Sequence, residues 1–133
     1  MRTHFILFVR DQAASAAFYR AALDRAPGLD VPGMTEFSLG EGATLGLMPE
    51  AGIRRLLGGA IDPAAAGGAP RCEVYLVVDD PAACHARALA AGAREVSALA
   101  PRGWGHDVAY SQDPDGHLLA FAAERAAEAR GLS

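Results

Sequence analysis

The fold is decided by the stretch DPDGH at residues 113–117, which leads directly into the apolar run LLAF at residues 118–121. Pro114 fixes φ for a turn, and Asp115 and Gly116 tolerate the unusual backbone angles that tight turns require. An apolar run that begins directly after such a turn is typical of a buried strand. The stretch therefore predicts a turn that opens the last strand of a sheet.

The same plan occurs twice in the chain. Residues 4–23 and residues 73–92 each begin with an apolar run of aromatic and β-branched residues, which predicts a buried strand. Each run is followed by an aspartate at a helix N-cap position, Asp11 or Asp80, and then by an alanine-rich segment with helical character. The two stretches therefore predict two copies of a strand followed by a helix.

A second internal match completes the repeat, because residues 42–47 resemble residues 116–121. A duplicated unit of one strand, one helix and three strands explains both matches. We therefore predict a single α+β domain over residues 1–133, with a first βαβββ module at 1–58 and a second at 70–123. The remaining residues 124–133 form a C-terminal tail, and alanines and charges at helical spacing over 122–131 predict a short helix there.

The segment between the modules, residues 50–70, is rich in glycine and proline, with GG, DP and GG pairs. Such pairs are typical of turns and linkers. Residues 53–57 could form one helical turn. We interpret the segment as a surface linker, and a lid above a binding site is the alternative.

The composition excludes several classes of function. The net charge of −4 gives no basic surface for nucleic acid. No run approaches the roughly 20 apolar residues that cross a membrane, and the first residues lead into a strand rather than a signal peptide. Cys72 and Cys84 are expected to be small buried hydrophobes, and so few cysteines are typical of a cytoplasmic protein.

The doubled module resembles a known superfamily. The residues that carry the resemblance are FY at 18–19 downstream of Asp11, the DDP turn at 79–81 and the terminal DPDGH strand. Together they resemble the vicinal oxygen chelate superfamily, which includes glyoxalase I, the bleomycin-resistance proteins and the extradiol dioxygenases. The resemblance weakens only at residues 50–70 and after 123, and it implies that the curved sheets of the two modules form a cup.

The resemblance also implies four positions for ligands of a divalent metal, at the first and last strands of each module. In this sequence those positions are His4, Gly46, Glu73 and Ala120. Only His4 and Glu73 carry atoms that bind metals, whereas a retained metal normally needs three or more protein ligands. We therefore expect no cofactor. A weakly held divalent metal, with Glu50 or His106 as additional ligands, is the alternative.

The alternation of side chains along the strands gives the composition of the predicted cup. Phe8, Met48 and Tyr75 face inward, and the small residues at positions 46 and 120 are expected to open volume there. We interpret the result as a pocket for a small, partly aromatic molecule. His4 is the expected partner of Glu73 if both side chains face the pocket, although a histidine near a chain start is also typical of a surface.

A second candidate site is RGWGH at residues 102–106, where two glycines flank the single tryptophan. Trp104 could stack on a flat ligand while Arg102 pairs with an anionic group. The alternative is a tryptophan that fills the edge of the core. His117 is expected to bond to the turn before it, and His85 to lie on the solvated face of its helix.

The function that we predict is binding of a small organic ligand by a glyoxalase/bleomycin-resistance-like protein with a degenerate metal site. Such a protein would sequester an aromatic or antibiotic-like molecule rather than turn it over, so no catalytic residue is assigned. The alternatives are a metal-dependent lyase, isomerase or dioxygenase of the same superfamily, and an interaction module without a ligand. The resemblance and the apolar sheet edges favour a homodimer.

Overall fold

The computed structural model describes residues 1–126, which fall into two compact units. The first unit covers Met1–Ala69 and the second begins at Pro70. Each unit contains a four-stranded sheet with one helix between its first and second strands, which gives the order strand, helix, strand, strand, strand. This order confirms the duplicated βαβββ module.

The first unit has a mixed sheet in the order β1-β4-β3-β2, in which β1 and β4 are parallel and the other neighbours are antiparallel. Its strands are β1 (Thr3–Val9), β2 (Leu29–Val31), β3 (Met34–Gly40) and β4 (Ala43–Pro49), and its helices are α1 (Gln12–Leu23) and α2 (Glu50–Leu56), followed by a 3-10 turn at Pro63–Ala66.

The second unit repeats this topology with the order β5-β8-β7-β6, and β5 and β8 are parallel. Its elements are β5 (Glu73–Val77), α3 (Pro81–Ala90), β6 (Arg94–Pro101), β7 (His106–Gln112) and β8 (Leu118–Glu124).

The two main helices begin where the sequence predicts them. The Asp11 carboxylate accepts a hydrogen bond from the Ala14 amide at 3.0 Å, and the Asp80 carboxylate accepts one from the Ala83 amide at 3.1 Å. Each bond satisfies an amide that the first helical turn leaves without a partner. The helix α3 ends before Gly92, whose φ of 115° is a conformation that favours glycine.

The DPDGH stretch forms the predicted turn between β7 and β8. One carboxylate oxygen of Asp113, a buried residue, accepts hydrogen bonds from the amides of Asp115 and His117, each at 2.9 Å. Gly116 has a φ of 93°, which explains why glycine stands there. The backbone of His117 thus bonds to the turn that precedes it, as the sequence predicts.

Side chains alternate along the central strands as predicted. The residues that face the helices are fully buried in both units; they are Leu45, Leu47, Leu119 and Phe121. In the first unit, α1 adds Phe18 and Tyr19 to this core, with their rings edge to face at 4.9 Å. The opposite face of each sheet therefore carries the candidate site residues.

Two segments differ from the prediction. The segment at residues 50–70 begins with the helix α2 and contains the 3-10 turn, so it is more regular than a linker, although its side chains are largely exposed. Residues 122–124, predicted to start a helical tail, belong to β8 instead because they continue its pairing with β7. The tail prediction for residues 127–133 lies outside the described residues.

Two single-residue predictions are wrong. His85 is buried rather than solvated, and its Nε2 lies 2.9 Å from a carboxylate oxygen of Glu95 on β6. Cys72 is exposed because it precedes β5 instead of belonging to it, whereas Cys84 is partly buried. Among the described residues, no helix is long and apolar enough to span a membrane.

Candidate functional site

Four of the predicted site residues lie on one face of the sheet in the first unit. The parallel pairing of β1 and β4 sets His4 beside Thr44, Ile6 beside Gly46 and Phe8 beside Met48. Paired residues in neighbouring strands point to the same side of a sheet. His4, Phe8, Gly46 and Met48 therefore share a face, as strand alternation predicts.

Gly46 does not open volume on this face, which corrects the expectation from the sequence. A Cβ atom built at this position would lie 3.1 Å from Cγ1 of Ile6 and 3.2 Å from Sδ of Met34. Both distances are shorter than ordinary van der Waals contacts. The two neighbouring side chains would have to move by a few tenths of an ångström to admit even a Cβ atom there.

His4 has an acidic neighbour that the sequence did not reveal. Its Nδ1 lies 3.5 Å from a carboxylate oxygen of Glu36, and both side chains are partly exposed. Glu36 belongs to β3 and pairs with Gly46 across the sheet. Strand alternation along β3 would have placed Glu36 on this face, but the sequence alone does not fix which strand lies next to β4.

A groove of about 510 Å³ also lies in the first unit, and it contains none of the predicted site residues. Its lining residues come from α1 and from β2 and the residue that follows it: Gln12, Ala13, Ala16, Ala17, Arg20, Asp30, Val31 and Pro32. Nε2 of Gln12 donates to the Val31 carbonyl and to the Thr35 hydroxyl, which in turn donates to Asp30. These hydrogen bonds stabilise the contact of α1 with the β2–β3 hairpin. The polar groups of Gln12 and Asp30 in the groove therefore already have partners within the protein.

The second unit places Glu73, Tyr75 and Ala120 on the sheet face that carries its small apolar core. Ala120 is fully buried and pairs with Tyr75 on one side and with Tyr110 on the other. Both tyrosine rings pack against the buried group of Val108, Ala120 and Ala122. The small side chain at position 120 therefore makes room for two tyrosine rings.

Tyr75 forms a continuous hydrogen-bonded group with two further side chains, Trp104 and His106. Nε1 of Trp104 donates to the Tyr75 hydroxyl at 2.9 Å, and the same hydroxyl lies 2.6 Å from Nδ1 of His106. The rings of Tyr75 and His106 are stacked, with centroids 5.8 Å apart. We refer to Tyr75, Trp104, His106 and Tyr110 as the aromatic cluster.

Trp104 lies in the turn between β6 and β7, with 59% of its surface exposed. This exposure shows that Trp104 does not fill the core of its unit, so that alternative is wrong. An indole held in place by a hydrogen bond but open to solvent on much of its surface can offer a face to a flat molecule.

Arg102 stabilises the β6–β7 hairpin that carries Trp104. One terminal nitrogen of its guanidinium lies within 3.1 Å of three acceptors, which are the Ser97 hydroxyl and the carbonyls of Ala98 and Val108. The guanidinium carbon also lies 5.1 Å from the centre of the Tyr110 ring, a cation–π distance. Arg102 thus stabilises the hairpin that carries Trp104 and packs against Tyr110. This role differs from the predicted pairing with an anion.

The electrostatic environment keeps the phenol of Tyr110 neutral. Burial raises the pKa of Tyr110 above its ordinary value of 10.0, and the charges of Glu73 and Tyr75 raise it further, while Arg102 opposes the change. Tyr110 therefore keeps its proton at physiological pH.

Two of the four metal-ligand positions that the resemblance implies carry no ligand atom. These are Gly46 and Ala120, and the space beside Gly46 is crowded. Among residues 1–126, no three His, Cys, Asp or Glu side chains are close enough to hold a metal. His4 with Glu36 offers two ligands, fewer than a firmly held first-row metal requires.

Comparisons with known proteins agree with the fold. The sequence model of the Glyoxalase/Bleomycin resistance protein/Dioxygenase superfamily matches residues 2–121. A glyoxalase-related enzyme from Fulvimarina pelagi is 23% identical, with a TM-score of 0.80 over 93% of this chain and 88% of that one. A glyoxalase/bleomycin resistance protein/dioxygenase from Nocardioides is 24% identical, with a TM-score of 0.68 over 93% and 83% of the two chains. No curated protein matches the chain.

Proposed function

Because this chain belongs to the Glyoxalase/Bleomycin resistance protein/Dioxygenase superfamily, we propose that it binds a small, flat aromatic molecule on the aromatic cluster without a tightly held metal. The observation that supports this proposal is the exposed indole of Trp104, fixed by its hydrogen bond to Tyr75. Exposed aromatic side chains that are held rigidly lose little entropy when a ligand stacks on them.

The surroundings of the cluster support a ligand that is mostly apolar. The sheet face against which the tyrosines pack carries Val108, Ala120 and Ala122, and the hydroxyl and ring nitrogens of the cluster add a few polar groups. A mostly apolar surface with a few convergent polar groups is typical of small-molecule sites.

The proposed action is sequestration, so the protein would hold its ligand unchanged. The ionisable side chains near the cluster support this view, because Arg102 is bonded to three oxygens and Tyr110 stays protonated. We also propose a homodimer, supported by exposed apolar side chains on edge strands, and a cytoplasmic location, supported by the free thiols of Cys72 and Cys84.

The test is a calorimetric titration with 9-fluorenone, a flat and chemically inert aromatic ketone, on the wild-type protein and on Trp104→Ala. Stacking contributes roughly 0.5–1.5 kcal/mol beyond buried area, so the substitution should weaken binding by about two- to tenfold. Because Trp104 is exposed, thermal unfolding of the variant should match that of the wild type.

The matched control is Leu56→Ala, which removes an exposed apolar side chain from α2 in the first unit. It should leave the affinity for 9-fluorenone unchanged. Equal affinities for the wild type and Trp104→Ala, or no binding by the wild type, would contradict the proposed site.

A further inference from the structure

The hydrogen-bonded group of Trp104, Tyr75 and His106 has a defined direction. The indole Nε1–H can only donate, so the Tyr75 oxygen accepts from it at 2.9 Å. The phenol still carries its own proton, and this proton needs an acceptor. Nδ1 of His106, at 2.6 Å, is the only other hydrogen-bond partner of the Tyr75 hydroxyl among the described residues.

Donation in the opposite direction, from His106 to Tyr75, would leave the hydroxyl proton of Tyr75 without an acceptor among the residues that the structure describes. If Nδ1 of His106 donated, the Tyr75 oxygen would accept two bonds, and its own hydroxyl proton would have no acceptor in residues 1–126. Donation from Tyr75 to Nδ1 is therefore the direction in which both protons of this group have an acceptor among the described residues. A neutral imidazole whose Nδ1 is an acceptor carries its proton on Nε2.

The Nε2–H of His106 is consequently a donor with a fixed position. Within the described part of the chain it has no hydrogen-bond partner, and the side chain is only half-buried. The imidazole plane is held by stacking on Tyr75, with 28° between the two planes. A donor fixed next to aromatic faces can contact the edge of a flat molecule that lies on them.

The charges around the cluster do not favour an anion. Arg102 and Glu73 bring one positive and one negative charge to Tyr110, and the guanidinium is bonded to three oxygens. Glu73 affects Tyr110 more strongly than Arg102 does, so the charges acting there do not attract an anion. The acceptor that suits this site is therefore a neutral oxygen rather than a carboxylate.

We propose that the Nε2–H of His106 determines specificity by donating to a neutral carbonyl oxygen on the edge of a flat aromatic ligand. This inference rests on the proposed function, and it names the class of ligand as planar aromatic ketones, quinones and related carbonyl compounds. Tyr75 and Trp104 act as positioning residues for this donor because they fix which ring nitrogen carries the proton.

The test compares 9-fluorenone with fluorene, which has the same ring system without the carbonyl. One neutral hydrogen bond should make the ketone bind about three- to tenfold more tightly than the hydrocarbon in calorimetric titrations. His106→Phe should abolish the preference while keeping the affinity for fluorene, because a flat ring remains. His106→Gln, which can place an amide N–H near the position of Nε2, should recover part of the preference.

A second measurement needs no ligand. Two-bond ¹H–¹⁵N correlation spectra distinguish the two imidazole tautomers, and His106 in the free protein should be in the Nε2–H form at a pH where it is neutral. Tyr75→Phe should remove this bias and give a mixture of tautomers.

The outcomes separate this inference from the proposed function. Equal affinities of the wild type for 9-fluorenone and fluorene, with both weakened by Trp104→Ala, would overturn the role of His106 and leave the binding function intact. The Nδ1–H tautomer in the free wild-type protein would overturn it as well. Failure of the wild type to bind either compound would overturn the proposed function together with the inference.

Discussion

Gly46 shows how one residue decides whether the first sheet could hold a metal ligand. Ile6 and Met34 crowd the place of a Cβ atom at this position, so a longer side chain would fit only if they moved. We predict that Gly46→Ala lowers the free energy of unfolding by about 1–3 kcal/mol relative to a matched glycine substitution, because overpacking a filled site has costs of this size. Urea denaturation monitored by circular dichroism provides the measurement.

The matched substitution is Gly28→Ala. Gly28 has open space around its Cα, and its φ is not in the left-handed region, so an added methyl group should be neutral or slightly stabilising. If both variants are equally stable, Ile6 and Met34 are looser than described, and a longer ligand residue could be accommodated at position 46.

At the residue scale, the sequence identifies some site members and misses others. Trp104 stands out because it is the only tryptophan and lies between two glycines, and Tyr75 follows from strand alternation. The sequence places His106 at the end of the RGWGH candidate site but gives it a role only as an additional metal ligand, and it does not single out Glu36. Their contacts depend on which strands are neighbours and on side-chain directions, neither of which is encoded in local spacing.

At the element scale, the helix starts and the last turn are predictable because their causes are local. An aspartate at an N-cap, or one that accepts two amide bonds in a turn, acts over a few residues of sequence. The helix α2 lacks such a signal, since Pro49 provides no side-chain cap and Gly52 lies within the helix. The sequence therefore indicated only one helical turn in this segment.

The edge strands are where we expect the interface of the proposed homodimer. β1 and β5 are edge strands of their sheets, and Phe5 and Val77 on them are 57% and 64% exposed. Lysine on an edge strand disfavours pairing with another chain. We predict that the double variant Phe5→Lys, Val77→Lys sediments as a monomer in analytical ultracentrifugation, whereas the wild type sediments as a dimer.

The control for this experiment is Leu56→Lys, which adds a lysine at an exposed apolar position on the helix α2 rather than on an edge strand. It should sediment like the wild type. A monomeric wild type, or a dimer that persists in the double variant, would show that the edge strands do not form the interface.

For the whole molecule, the duplication makes the fold easier to predict from the sequence than the function. Two copies of one βαβββ pattern support each other, so the topology of each unit follows even where a single strand signal is weak. Function has no such redundancy. The two units differ where chemistry would reside: the first has the crowded position of Gly46, and the second has the aromatic cluster.

The proposed metal-free binding of an aromatic ligand is tested most directly by asking whether binding needs a metal. Protein purified without chelator would be analysed for metals by mass spectrometry, and its affinity for 9-fluorenone would be measured before and after dialysis against EDTA. We predict that no stoichiometric metal is present and that the affinity is the same in both states, because the aromatic cluster contains no metal-ligand set. One equivalent of metal that survives purification, with binding lost when EDTA removes it, would contradict the central claim.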